Sequence, residues 1–238
     1  MAGYSGDANL LASSIQYIIN VVMTVPALIW MDRWGRRKPL IIGAFLMMAF
    51  MFANAGMMGG TGEVVPGGID NVPQQSMRVS GAPAKGLIAC TYLFVASYAM
   101  TWGPVSWVYP PEVYPLRVRG KAVALATSSN WAFNTALGAF VPTAFETIRW
   151  KVYIIFGVFN LAMLIHAAVL FPETAGKTLE ETQLMFEDPN GIPYIGTPAW
   201  KTTKATNHMA QVERGNVGKT MDDEKSVDEA GTVEVKGA

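Results

Sequence analysis

Two asparagines, Asn130 and Asn134, stand four residues apart in an apolar stretch of the chain. This spacing puts both side chains on one face of an α-helix. A carboxamide offers two donors and two acceptor lone pairs, which suits an uncharged ligand with many hydroxyl groups. Trp107 and Trp131 add flat apolar faces of the kind on which sugar rings pack. The alternative is that the amides only hydrogen-bond between helices, and the residues alone leave both interpretations open.

The element that must position Trp107 is itself interrupted. Gly103 and Pro104 fall inside a stretch that otherwise reads as a membrane-spanning helix. Proline removes a backbone donor and clashes with the preceding turn. At membrane depth, such a break survives only where it is buried in protein or lines a watery cavity. Carriers often place their substrate sites at broken helices, so the break predicts a gate beside a binding site.

Charged residues gather at the ends of the apolar stretches. Bidentate pairs between arginine and carboxylate are geometrically selective, and a network of them could bias a two-state equilibrium. The sequence therefore predicts an ionic latch on one side of the bundle. The alternative is that the arginines only hold these loops on one side of the membrane. The candidate latch residues are Asp32, Arg33, Arg36, Arg37, Glu112, Arg119 and Glu173.

Composition favours a membrane protein. Of 238 residues, 51% are hydrophobic and only 15% are charged, and a span needs about 20 mostly apolar residues. We therefore expect an all-α membrane protein with five transmembrane helices and a polar tail over residues 188–238, which we expect to be largely disordered. The predicted spans cover residues 10–31, 39–57, 86–109, 122–145 and 152–171. The connection at 58–85 is rich in Gly and Pro, and we expect it to be an exposed loop.

Other classes of function have little support in the sequence. The formal net charge is zero, which argues against nucleic acid as a partner. There is one cysteine, and no paired carboxylates, Ser-His-Asp set, histidine cluster or phosphate-binding loop stands out. We therefore expect no enzymatic activity, no cofactor and no bound metal. Basic residues are most frequent in the loops at 32–38 and 117–121, which places these loops and the tail in the cytoplasm.

Four motifs in order resemble the sugar-porter branch of the major facilitator superfamily, and look most like fungal hexose transporters. They lie within a domain predicted at residues 1–187. The resemblance implies the C-terminal part of a twelve-span bundle, spans eight to twelve, with the N-terminal half missing. The motifs are DRWGRR at 32–37, WGPVSWVYPPEVYPLRVRGKA at 102–122, SSNWAFN at 128–134 and PETAGKTLEE at 172–181.

The same resemblance implies roles for individual residues. Asn20 lies twelve residues before the acid of the DRWGRR motif, as the sugar-contacting asparagine of span eight does in relatives. Trp107 matches the tryptophan below the sugar, and Asn130 and Asn134 match positions that bind sugar or line its cavity. The charged residues named above match a cytoplasmic network thought to hold the outward-facing state.

The expected function is transport of a hexose, and of glucose in particular, across the plasma membrane by alternating access. The partners are then the monosaccharide and the lipid bilayer, with proton symport and facilitated diffusion both left open. We expect the chain to be a truncated fragment that is inactive alone. Two alternatives stay open: a sugar sensor that signals through its cytoplasmic tail, and a non-transporting half-carrier that pairs with other chains.

Overall fold

A computed structural model describes residues 7–69, 72–73 and 75–175 of the chain. The predicted tail at 188–238 therefore lies outside the described residues, and so does the side chain of Asp32. The described part is mostly helical, with one two-stranded hairpin. Its elements are α1 (Asp7–Trp34), α2 (Arg37–Thr61), β1 (Glu63–Val64), β2 (Met77–Arg78), α3 (Ala82–Met100), α4 (Trp102–Val113), α5 (Arg119–Thr147) and α6 (Lys151–Leu170).

The helices alternate in direction, which gives the bundle two distinct ends. We call one the charged end, where α1 and α6 finish, α2 and α5 begin, and α4 terminates near Glu112. We call the other the hairpin end, where α2 and α5 finish and α3 and α6 begin. In the described residues, four helical segments are long and apolar enough to cross a membrane, namely Leu11–Met31, Arg37–Thr61, Ala82–Val113 and Lys151–Leu170.

Helix α5 is missing from that set, although its 29 residues exceed the length of a span. It corresponds to the predicted span at 122–145, which carries serines, threonines and both asparagines of the candidate site. These polar side chains lower its mean hydropathy. The count of five spans therefore stays a prediction. It depends on α5, the helix that carries Asn130 and Asn134 of the candidate site.

The break in the third span falls at Thr101, slightly before the predicted position. α3 ends at Met100 and α4 begins at Trp102, so Gly103 and Pro104 lie in the first turn of α4. Proline is tolerated in a first turn, because the N–H that it lacks would have no helical partner there. The bond that Pro104 cannot make is the one to the carbonyl of Met100, and this is where α3 stops.

Close helix packing depends on small residues, as is usual between membrane helices. An added Cβ at Gly43 of α2 would overlap the side chain of Thr101. An added Cβ at Gly157 of α6 would lie 2.9 Å from the Phe52 ring. These glycines let α2 approach both the helix break and α6. Because α2 lies close to α4 and α6, their apolar side chains form a core cluster at the charged end. Its buried members are Leu40, Val105, Tyr109 and Ala167.

The connection between α2 and α3 differs from the sequence expectation. Residues 58–85 were expected to form an exposed loop, but α2 continues to Thr61 and the segment then folds into the β1–β2 hairpin. Met77 and Val79 are buried against Met58 and Leu87 in a second core cluster. The expectation was wrong because the segment is rich in Gly and Pro, so its composition gave little weight to the few apolar residues, Met77 and Val79, that are buried.

Candidate functional site

A groove of about 200 Å³ lies between α4 and α5, beside the helix break. Of the four residues predicted to bind substrate, it brings together Trp107, Asn130 and Asn134. Aromatic, apolar and hydroxyl groups thus surround the two amides. The complete lining is Tyr98, Ser106, Trp107, Pro110, Val123, Ala126, Thr127, Asn130 and Asn134.

The groove is open on one side, and its key side chains are correspondingly exposed. Trp107 is 58% exposed, and both asparagines are also exposed. The Asn134 amide nitrogen donates to the Asn130 backbone carbonyl at 3.0 Å and approaches the Asn130 side-chain oxygen at 3.4 Å. This contact orients the two amides together, one turn apart. A flat indole opposite two amides offers one apolar and one polar surface to a ring that carries hydroxyl groups.

Helix α4, which carries Trp107, is held in place by contacts with α2. The neighbouring Trp102 donates from Nε1 to the Leu40 carbonyl at 2.9 Å, and Val105 is almost fully buried. Thr101 is buried at the break, and its hydroxyl donates to the Ser97 carbonyl at 2.6 Å. The face of α4 opposite the groove is therefore anchored on α2. Gly103 is also close-packed, because an added Cβ would lie 3.3 Å from the Tyr98 carbonyl oxygen.

Asn20 does not line this groove. It is partly buried on α1, where its carbonyl accepts a hydrogen bond from the Thr24 hydroxyl at 2.7 Å. The structure therefore brings three of the four predicted substrate contacts to one place and leaves the fourth apart. Trp131 lies between the two asparagines in sequence but is 64% exposed and is not part of the groove lining.

At the charged end, two of the candidate latch residues, Arg36 and Glu112, form an ion pair. Arg36 donates from Nη2 to Glu112 Oε1 at 2.9 Å, and from Nε to both carboxylate oxygens at 3.2 Å. The side chains are only 11% and 22% exposed. The Thr174 hydroxyl donates to Glu112 Oε2 at 2.6 Å. The pair therefore joins the start of α2, the end of α4 and the segment after α6.

Glu173 belongs to the same cluster but works differently from the prediction. Its carboxylate accepts hydrogen bonds from the backbone N–H groups of Arg36, at 2.8 Å, and Arg37, at 3.1 Å. It thus caps the N-terminus of α2, where unpaired donors and the helix dipole favour an anion. Gly35 makes room for it, with φ at +80° and an added Cβ that would lie 2.6 Å from Glu173 Oε2.

In the described hydrogen bonds, the side chains of Arg37 and Arg119 donate to backbone carbonyls and not to carboxylates. Arg37 donates from Nη2 to the Ala168 carbonyl at 2.7 Å, near the end of α6. Arg119 donates from Nε to the Tyr114 carbonyl at 3.2 Å, across the turn between α4 and α5. Arg33 is exposed at the end of α1. Within the part of the chain that the structure describes, the charged end is therefore stabilised by one ion pair together with side chains that bind backbone groups at helix termini.

Sequence reasoning missed several residues of both sites. Tyr98, Ser106 and Thr127 line the groove, and Thr174 donates to Glu112. Thr127 lies three residues before Asn130, so its spacing was a usable signal. Tyr98 lies nine residues before Trp107, on the other side of the break, so its spacing gave no such signal. Ser106 was a weak candidate, because a serine in a helix can bond its own backbone, as Ser106 does here.

The fold and the groove together indicate the general class of this protein. Long apolar helices with polar side chains gathered at an interior break are typical of multi-pass membrane proteins that handle a polar ligand. The sequence profile of the sugar (and other) transporter family matches residues 1–186. The chain belongs to this family and is a multi-pass membrane protein.

Individual relatives agree with that assignment. The chain is 46% identical over 221 residues to a high-affinity glucose transporter of Kluyveromyces lactis, covering 91% of this chain and 39% of the relative. It is 44% identical over 216 residues to the MFS glucose transporter mfs1 of Aspergillus flavus, covering 90% and 40%. The chain thus spans about two fifths of the length of these curated relatives. They are transporters and not enzymes, in line with the sequence expectation.

Solved structures show the same fold. The inward-open xylose transporter XylE from E. coli is 29% identical, with a TM-score of 0.59, and the match covers 75% of this chain and 36% of that one. A proton:xylose symporter structure with bound 6-bromo-6-deoxy-D-glucose gives a TM-score of 0.61 at 29% identity, covering 77% and 36%. The expectation of a sugar-porter fold is confirmed at this level.

Proposed function

We propose that this chain forms part of a hexose carrier, and that the groove between α4 and α5 is one wall of its sugar site. The observation that carries the proposal is that Trp107, Asn130 and Asn134 line one groove beside a helix break. The indole supplies an apolar face for the ring, and the amides supply donors and acceptors for its hydroxyl groups. Glucose is the proposed substrate because two of the relatives described above are glucose transporters.

The proposed mechanism is alternating access around this groove. The helix break lets α4 move relative to α3, and the contacts of the charged end stabilise the state in which that end is closed. We propose that the chain corresponds to spans eight to twelve of a twelve-span carrier of the plasma membrane, with its charged end and tail in the cytoplasm. In the described helices, carboxylates lie near the ends, so we propose that proton coupling depends on residues outside the groove.

The test is a chimera in which residues 1–187 replace the matching segment of the Kluyveromyces lactis glucose transporter. It is expressed in yeast that lacks hexose carriers, and uptake of labelled glucose is measured. We expect uptake, with KM raised about fivefold or more by Asn130→Ala or Asn134→Ala, because a lost hydrogen bond to substrate costs on the order of 1 kcal/mol or more. Ser129→Ala is the matched control, since its hydroxyl bonds only the turn below it, at the Leu125 carbonyl.

A chimera that reaches the cell surface but takes up no hexose would refute the proposal. Equal KM values for the asparagine variants and the control would refute the assignment of the groove. Deletion of residues 188–238 separates a carrier from the sensor alternative. A carrier keeps its uptake without the tail, whereas a sensor loses its signalling.

A further inference from the structure

The hairpin end holds α5 by its last turns. The Ser76 hydroxyl donates to the Phe145 carbonyl at 3.1 Å, and Ser76 is itself 9% exposed. The Phe145 ring packs edge-on against Tyr153 of α6, with centroids 5.6 Å apart. Ala144 is the buried residue of α5 in the described structure, at 3% exposure. The contacts that fix α5 to the bundle are therefore concentrated near residue 145.

Ser76 is placed for this contact by the hairpin. Its carbonyl accepts from the Val65 N–H at 3.0 Å, next to the β1–β2 pairing. The following residues, Met77 and Val79, are buried in the core cluster that includes Met58 of α2. The hairpin is therefore an anchor packed against α2 and α3, and Ser76 links it to α5.

A weak point lies between this anchor and the groove. Pro142 is inside α5 and has no N–H to donate to the carbonyl of Gly138, so one turn of the helix lacks a bond. Gly138 has open space around it, with nothing within 4 Å of an added Cβ. Proline and glycine are the usual causes of helix kinks. From position 131 to 140 every residue of α5 is exposed within this chain.

We propose that α5 is a hinged arm. The hairpin fixes its end through Ser76, the hinge lies at Gly138–Pro142, and the segment that carries Asn130 and Asn134 swings to set the width of the groove opposite Trp107. Ser76 is then a positioning residue for the site. The consequence for sugar recognition rests on the proposed function, whereas the anchor and the hinge do not.

The arm is long enough for its motion to be measured. Ala124 is 14 residues from Gly138, which is about 21 Å along a helix. A kink of about 20° at the hinge moves the tip by roughly 7 Å. Spin labels at Ala124→Cys and at Ile42→Cys on α2, both exposed sites, report this displacement by pulsed EPR. The labels are placed in the full chain with Cys90→Ala, reconstituted in lipid nanodiscs.

Ser76→Ala removes the link, and Ser76→Thr keeps the hydroxyl. We expect Ser76→Ala to raise the displaced population about fivefold, the effect of one net hydrogen bond. Ser76→Thr and the control Ser129→Ala should reproduce the parent distance distribution. Pro142→Ala restores the missing donor and should narrow the distribution to one peak, a result that misfolding cannot produce.

Two outcomes overturn the proposal. Ser76→Ala could give the parent distribution, or Pro142→Ala could leave the distribution as broad as in the parent. The separate test of function uses the same labels in the chimera, because the chain alone is expected to be inactive. If the variants behave as expected but glucose changes no distance in the chimera, the hinge stands and the sugar site fails.

Discussion

The ion pair between Arg36 and Glu112 should be worth more than an ordinary surface pair. Its three donor–acceptor distances are 2.9, 3.2 and 3.2 Å, and the side chains are 11% and 22% exposed. Exposed pairs contribute about 0.2–1 kcal/mol, whereas breaking a fully buried pair costs about 3–5 kcal/mol. A pair that is mostly shielded and bidentate should fall between these limits. We expect a coupling free energy of about 2 kcal/mol.

A double-mutant cycle measures the coupling free energy between Arg36 and Glu112. Glu112→Gln, Arg36→Met and the double variant are made in the full chain, and the free energy of unfolding is measured by titration with SDS in mixed micelles. Each single variant should lose about 2 kcal/mol or more, because a charge stays behind with its partner removed. The double variant should lose less than the sum. Lys38→Met, an exposed cation on the same helix, is the control and should change stability by less than about 0.5 kcal/mol.

The same pair should also bias the transport cycle of the chimera. A loss of about 2 kcal/mol changes an equilibrium between two states roughly thirtyfold. Glu112→Gln should therefore increase the labelling of a cysteine placed at the charged end, where the closed state shields it. A coupling energy below about 0.5 kcal/mol would refute the reasoning, because the pair would then behave like an exposed one.

Two further predictions concern glycines. Gly35→Ala should destabilise the chain by about 2 kcal/mol or more in the same titration, because it strains a positive φ and displaces Glu173 from the N-terminus of α2. Gly60→Ala, in open space within α2, should be neutral or slightly stabilising, and equal effects of the two changes would contradict the cap. Gly43→Val should separate α2 from Thr101 and lower the midpoint of unfolding, whereas a midpoint equal to that of the parent would show that the contact is not tight.

The helices could be predicted from the sequence because their signal is local. Long apolar runs need only composition to be recognised. The observed helices contain each predicted span apart from Thr101 and Phe171, and they extend up to four residues beyond the predicted ends. Helical spacing puts Asn130 and Asn134 on one face of α5, whereas Trp107 of α4 was assigned from the resemblance to relatives; that these three residues bind sugar stays a prediction. The role of Glu173 was not predictable, because its partners are backbone N–H groups, which leave no trace in the pattern of side chains.

Contacts distant in sequence account for the other differences. The hydrogen bond between Ser76 and Phe145 joins residues 69 positions apart. The segment around Ser76 is rich in glycine and proline and carries no sequence pattern that predicts this contact. Asn20 was assigned from its distance to a motif. The structure shows that equal spacing along the chain does not bring it to the groove formed by α4 and α5.

Helix α5 is bonded to the rest of the bundle at the hairpin end more than at the charged end. This difference supports separate roles for α4 and α5. The described contacts of the charged end join α2, α4, α6 and the segment after α6 through Arg36, Arg37, Glu112, Glu173 and Thr174. Arg119 of α5 contributes only a bond to the adjacent turn. The hairpin end, in contrast, binds α5 through Phe145. A helix that is fixed at one end, weakened by a proline and loosely held at the other can move without breaking the charged cluster. The cluster can therefore regulate α4 while α5 adjusts the groove.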